Sequence, residues 1–128
     1  MSDIYSEIIL NHWKSPRNRG KIDDADVVIK DSNPLCGDEI TMYMKFDDDK
    51  IKQVSFEGKG CAISQASASM LTEFVKGKSI DEIIKMNSNK VQKMLGVKLS
   101  ATRLKCALLP LKSLKLGIYS YLGKKLAG

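Results

Sequence analysis

With 128 residues, 43% of them hydrophobic, the chain is close to the usual size of a single domain and has enough apolar side chains to build a core without covalent staples. Lys and Arg outnumber Asp and Glu by 21 to 15, a net charge of +6, so an anionic partner has to be considered. No apolar run approaches the length of a bilayer span, and Met1 to Tyr5 lack the basic-then-apolar order of a signal peptide; a cytoplasmic protein with no membrane partner is expected.

In chain order, an amphipathic helix is predicted from Asp3 to Lys14, with Ile4, Ile8 and Trp13 near one side, and Pro16 to Gly20 break it. Strands follow at Ala25 to Lys30, at Ile40 to Phe46, and at Ile51 to Phe56 after the Asp47-Asp48-Asp49 turn. In the second of these, Ile40, Met42, Met44 and Phe46 alternate onto one face. Helices are then predicted at Ala62 to Lys76, at Ser79 to Met86 with Ser79 as N-cap and Glu82 completing a capping box, at Asn89 to Leu95, and at roughly Ala107 to Lys125. Pro110 is placed in the first turn of the last helix, where its missing N–H costs nothing. Strands first and helices second predict an α+β, two-layer domain over residues 1–128: a three-stranded antiparallel sheet, one face covered, packed against about five helices.

The positive charge gathers toward the C-terminus, at Lys98, Arg103, Lys105, Lys112, Lys115, Lys124 and Lys125. These residues alternate with leucines at helical spacing, the pattern of a solvated helix face over a core, so nucleic acid is not expected as a partner and acidic proteins are. Met42, Met44 and Met70 fit core filling better than soft-metal ligation. His12, the one histidine, sits beside Trp13 on a helix and reads as a packing or surface residue, which argues against Cys–His hydrolysis. Gly58-Lys59-Gly60 is too short for a phosphate loop.

Chemistry concentrates at Cys36, Cys61 and Cys106, with Asp38 two residues beyond the first. A single cysteine is most often an inert buried hydrophobe, and an aspartate in a turn is often only a capping residue. Here each cysteine is expected at a turn or a helix start. Asn33-Pro34-Leu35-Cys36-Gly37-Asp38-Glu39 reads as a turn, Cys61 follows two glycines and precedes a helix, and Cys106 is placed just before the last helix. A helix N-terminus and a neighbouring cation favour thiolate, the form that ligates or attacks. Three cysteines in a chain without an export signal argue for reduced thiols rather than a disulfide framework. Three soft sulfurs and one hard carboxylate form a donor set suited to a metal ion or cluster.

The arrangement resembles the IscU/SufU family of iron–sulfur cluster assembly scaffolds, also found as the N-terminal domain of NifU-type proteins. Four segments carry the resemblance, in family order: Tyr5-Ser6-Glu7 with His12-Trp13-Lys14-Ser15-Pro16-Arg17-Asn18-Arg19-Gly20; Asn33 to Asp38; Phe56 to Ser64, followed by Ser67-Ala68-Ser69; and Arg103-Leu104-Lys105-Cys106. It implies a SufE/NifU-like fold in which Cys36, Asp38, Cys61 and Cys106 hold a transient [2Fe–2S] cluster, or Zn²⁺ in its place. Arg103 and Lys105 would offset the negative charge of the loaded site. Tyr5 matches a family tyrosine and is read as an interface residue.

IscU proper has a histidine directly before the third cysteine. Lys105 stands there instead, an ammonium with no lone pair, which rules out a histidine ligand at that position. The Arg-Leu-Lys-Cys segment resembles the SufU branch, but the insertion expected in SufU between the second and third cysteines is lacking. The Leu-Pro-Pro-Val-Lys motif that a dedicated Hsp70 reads in IscU has no counterpart in Gly96 to Thr102.

The resemblance implies a scaffold rather than an enzyme: a cysteine desulfurase supplies persulfide sulfur, an iron or electron donor such as frataxin or ferredoxin contributes, and acceptor apoproteins receive the cluster. Cys106 is the expected sulfur acceptor in an IscU-like protein and Cys36 in a SufU-like one. The alternative is a zinc-bound sulfurtransferase partner of SufU type using the same four residues. A structural zinc module that binds RNA ranks third.

Overall fold

The computed structural model describes residues 7–35 and 37–127. Helix α1 (Glu7–Lys14) leads into an irregular segment and three strands, β1 (Val27–Asn33), β2 (Asp38–Asp47) and β3 (Lys50–Lys59). Helices α2 (Ala62–Val75), α3 (Ile80–Ile84), α4 (Ser88–Leu95) and α5 (Ala101–Ala127) follow. The strands form one antiparallel sheet in the order β1-β2-β3, so the expected meander and the α+β division into strands and then helices are both present. Among the described residues no helix is long and apolar enough to cross a membrane.

The sheet follows from the alternation in β2. Ile40, Met42, Met44 and Phe46 are buried on one face, Met42 and Met44 completely. Burying side chains of this size stabilises the fold by roughly 1.5–3 kcal/mol each, and a slip of one residue would turn the whole set toward solvent. Asp48, at φ 57°, makes the tight reversal from β2 to β3. All three strands extend two or three residues beyond the predicted ends toward the site, because pairing continues through Asn33 with Asp38 and Glu39 with Lys59. The segment before β1 packs on the outer edge of β3: Phe56 N–H donates to the Asn18 carbonyl and Gly20 N–H to the Phe56 carbonyl, both over 2.9 Å.

Helix α2 packs against α1, α5 and the sheet. In the sequence Ile63, Ala66, Met70 and Phe74 recur with helical spacing beside Leu71 and Val75, which predicts an apolar stripe; instead every residue from Ile63 to Thr72 is buried. The polar ones bond locally or to a neighbour, Thr72 to the Ala68 carbonyl at 2.8 Å and Ser67 to the Ala107 carbonyl at 2.6 Å, which removes the cost of burying hydroxyls. In α1 the buried residue is Ile9, whereas Ile8 and Trp13 are about half exposed, so the predicted face is rotated by one position. The predicted start of that helix, and Tyr5 with it, lie outside the described residues. Ser79 caps α3 by accepting the Glu82 N–H, as expected, and Asn87 and the left-handed Gly96 bound α4.

The largest departure is α5. It begins at Ala101, with the Ser100 hydroxyl accepting the Arg103 N–H at 3.3 Å, so Cys106 lies in the second turn and Pro110 in the interior rather than the first turn. Packing on α2, β1 and β2 offsets the proline penalty. At the other end of the helix Tyr121 stacks on Phe46 with ring centroids 3.9 Å apart and donates to the Asp48 carbonyl.

Candidate metal centre

The described donors come from three elements. Asp38 opens β2 immediately after the turn of residues 33–37, where the Asn33 side chain accepts the Leu35 N–H and Gly37 takes φ 68°. Cys61 is the N-cap of α2, extended at φ −71° and ψ 165°, with its Sγ accepting the Ser64 N–H at 3.4 Å. Cys106 projects from the second turn of α5. One oxygen of Asp38 and the two sulfurs all lie within 4.8 Å of one another, a spacing that can hold a metal ion. Cys36, the expected fourth donor, lies outside the described residues.

Asp38 is almost wholly buried, yet it is not left unpaired: its Oδ1 accepts the Cys61 backbone N–H at 2.8 Å, and its Oδ2 lies 3.9 Å from Cys61 Sγ. A carboxylate at the start of a fourteen-residue helix is favoured by the unpaired N–H groups there. Gly60 makes the approach possible. A Cβ at that position would fall 2.2 Å from Asp38 Oδ1 and 2.8 Å from the Ser64 hydroxyl.

Cys61 is partly exposed, so the site opens to solvent on its side, whereas Cys106 is 2% exposed. Cys61 is a free thiol and Cys106 is in the disulfide-bonded form. The expectation of reduced cysteines therefore holds at Cys61 and not at Cys106, whose sulfur needs reduction before it can ligate as a thiolate. The expectation that Cys106 marks a helix start fails as well, and with it the argument from helix polarity at that residue. Lys105 is exposed and Arg103 half-buried beside it on α5.

Arg19 was missed as a site residue. Its guanidinium donates to Gln65 Oε1 and to the Gly58 carbonyl, both at 2.8 Å, and stacks over the Phe56 ring at 5.9 Å. It thus joins the first turn of α2 to the strand end that delivers Gly60 and Cys61. The Pro-Arg-Asn-x-Gly segment was visible in the sequence, but nothing in it indicated which backbone the arginine reaches. His12 does have the packing role expected of it: its Nδ1 pairs with the Ser69 hydroxyl at 2.7 Å, and burial, aided by Arg17, holds its pKa below the usual value of 6.5.

The family described as NifU-like N terminal domain matches residues 4–127. The chain is 36% identical to the zinc-dependent sulfurtransferase SufU of Bacillus subtilis, over 92% of this chain and 91% of that protein. It is 40% identical to the iron–sulfur cluster assembly scaffold protein IscU 1 of Archaeoglobus fulgidus, over 94% of this chain and 78% of that one. Among solved structures, a candidate iron–sulfur cluster assembly scaffold for the SUF system from Fervidobacterium islandicum superposes with a TM-score of 0.79 at 39% identity, covering 90% of this chain and 96% of the other.

Proposed function

Because the chain belongs to the family of NifU-like N-terminal domains, we propose that it is an iron–sulfur cluster assembly scaffold working as one domain, with Cys36, Asp38, Cys61 and Cys106 as the ligands of its cargo. The observation that carries this reading is the convergence of Asp38, Cys61 and Cys106 donor atoms within 4.8 Å at the meeting point of β2, α2 and α5. The donor set fits: soft sulfurs suit iron–sulfur units and zinc alike, and a carboxylate supplies one harder, more readily displaced position.

In this reading a cysteine desulfurase supplies the sulfur. A thiolate of this chain attacks the outer sulfur of the donor's persulfide, a new S–S bond forms, the old one breaks, and the donor cysteine leaves as a thiolate. Reduction of that sulfur to sulfide draws electrons from a separate donor protein of ferredoxin type, and frataxin is the candidate iron donor. The chain's own residues hold and orient. Cys61 offers the exposed sulfur, Asp38 keeps the start of α2 against the site, and Lys105 and Arg103 offset the negative charge of the loaded cage. Cys106 and Cys36 are the two candidate first acceptors of that sulfur. Acceptor apoproteins take the cluster in the cytoplasm.

The zinc-bound sulfurtransferase reading has one specific observation in its favour, Lys105 in place of a histidine before Cys106, which leaves the same four donors for tetrahedral zinc. Purification without oxygen and under reducing conditions separates the two. A brown protein with iron and acid-labile sulfide in equal amounts supports the scaffold; a colourless protein with stoichiometric zinc that accepts sulfur without building a cluster supports the sulfurtransferase.

A further inference from the structure

Helix α5 carries six Lys and Arg residues and no Asp or Glu. Lys105, Leu108, Lys112, Lys115 and Tyr119 recur along it at alternating steps of three and four, the spacing of a coiled-coil seam. None of the five is fully buried. Two hollows adjoin along this seam and share Leu108 and Lys112. The first, about 500 Å³, is walled by Pro34, Leu35, Leu109 and Lys105; the second, about 390 Å³, by Asn87, Leu111, Leu116 and Tyr119. Leu35, Leu116 and Tyr119 are 78%, 42% and 54% exposed, unusually open for side chains of their size. From Lys105 to Tyr119 the trough runs about 21 Å at the helical rise of 1.5 Å per residue.

We propose that this trough is a docking groove for an acidic amphipathic helix of a partner protein, with carboxylates opposite Lys105 and Lys112 and apolar side chains entering at Leu108 and Tyr119. Charge selects the occupant. A second copy of α5 would set lysines against lysines with only Asp31, beside Lys112, to offset them, whereas a helix bearing glutamates brings acids of its own to the seam. Lys112 meets Asp31 at 3.4 Å but keeps 64% of its side chain exposed, a surface pair worth little and easily exchanged. Lys115 donates to the Met86 carbonyl and so holds one wall in place. The floor is concave with lysines along its midline, a shape that receives side chains of another helix rather than lying flat on lipid. The groove begins at Lys105, one residue before Cys106, so its occupant would lie along the end of α5 that carries a metal-site donor; the proposed function serves only to explain why a partner would dock there.

The probe is a synthetic helix of about three heptads with Leu and Glu at its seam positions. Its affinity is measured by fluorescence anisotropy and its footprint by amide chemical shifts on the metal-free chain. Saturable binding with shifts along residues 105–119 is expected, at least about tenfold weaker for a scrambled peptide of equal charge. Lys112→Glu should lose a similar factor and regain it with a peptide carrying Lys at the facing position. The proposal is overturned by no saturable binding, by equal affinity for the scrambled peptide, or by shifts scattered over the sheet. Self-association abolished by Tyr119→Ser, or tighter binding to phosphatidylserine vesicles than to the peptide, would overturn it too. No metal enters these measurements, so their failure leaves the scaffold reading intact, and a cage that binds no metal leaves the groove intact.

Discussion

Asp38 Oδ1 accepts the backbone N–H of Cys61 at 2.8 Å, so the carboxylate that faces the sulfurs also tethers the N-cap residue of α2. Ligand and helix start are therefore one unit: a change at Asp38 is felt in the apoprotein as well as in the loaded one.

Asp38→Ala should act in opposite directions on the two forms. Without metal the variant loses the bond to a part-buried N–H, a cost of about 0.5–1.5 kcal/mol, visible as a lower midpoint in urea. Loaded, it lacks the most displaceable ligand, and the cluster should survive longer in the visible spectrum after an acceptor or chelator is added. A lifetime equal to or shorter than that of the parent protein would refute the labile-ligand role.

Gly60→Ala tests the cradle. The added Cβ cannot stay 2.2 Å from Asp38 Oδ1, so carboxylate or strand end must move. A destabilisation of about 1–3 kcal/mol is expected, together with weaker zinc binding by chelator competition. Zinc affinity matching the parent's would show that Asp38 is not needed where it now sits.

Arg19→Ala removes the link between Gln65 and the Gly58 carbonyl. Loss of such supporting contacts typically weakens metal binding about 10- to 100-fold. Arg19→Lys should recover little, because one ammonium cannot reproduce a planar fork that reaches both acceptors. Zinc titration of the two variants, with circular dichroism to confirm the fold, decides the point.

His12 predicts a pH dependence. Its pKa is held below 6.5 in the folded chain, so below that value the unfolded chain takes up more protons. Its contribution to stability is therefore complete above pH 6.5 and falls as the pH drops through its folded pKa. Urea midpoints between pH 7.5 and 5 should decline less steeply for His12→Gln than for the parent chain. Parallel curves would assign the slope to other groups.

The parts of the molecule that local pattern dictates were legible beforehand. The β2 face at Ile40, Met42, Met44 and Phe46, the Ser79 cap and the position of Cys61 at the head of α2 each follow from spacing within a few residues. What failed depends on packing. Pro110 was read as a helix boundary because in an isolated helix it would be one, but α5 runs through it against α2 and the sheet. The stripe expected on α2 widened to nearly the whole circumference because serines and threonines hide their hydroxyls on nearby carbonyls, a use that hydropathy does not register. At the site, the two-residue separation of Cys36 and Asp38 pointed to a carboxylate near the sulfurs, but not to its bond with Cys61, and the reach of Arg19 depends on a strand edge that no local pattern specifies.

Pro110 has a mechanical consequence for the site. It can offer no N–H to the carbonyl four residues earlier, which belongs to Cys106, so the ladder of α5 lacks one rung beside the sulfur. Farther along, the same helix is moored by the Tyr121 ring on Phe46 and by Lys124 and Lys125 on Asp26 and Asp48. The Cys106 carbonyl is thus left out of the helix ladder while Ala107 beside it stays tied to α2 through the Ser67 hydroxyl, so the sulfur rides on a rod held on both sides of a single slack link.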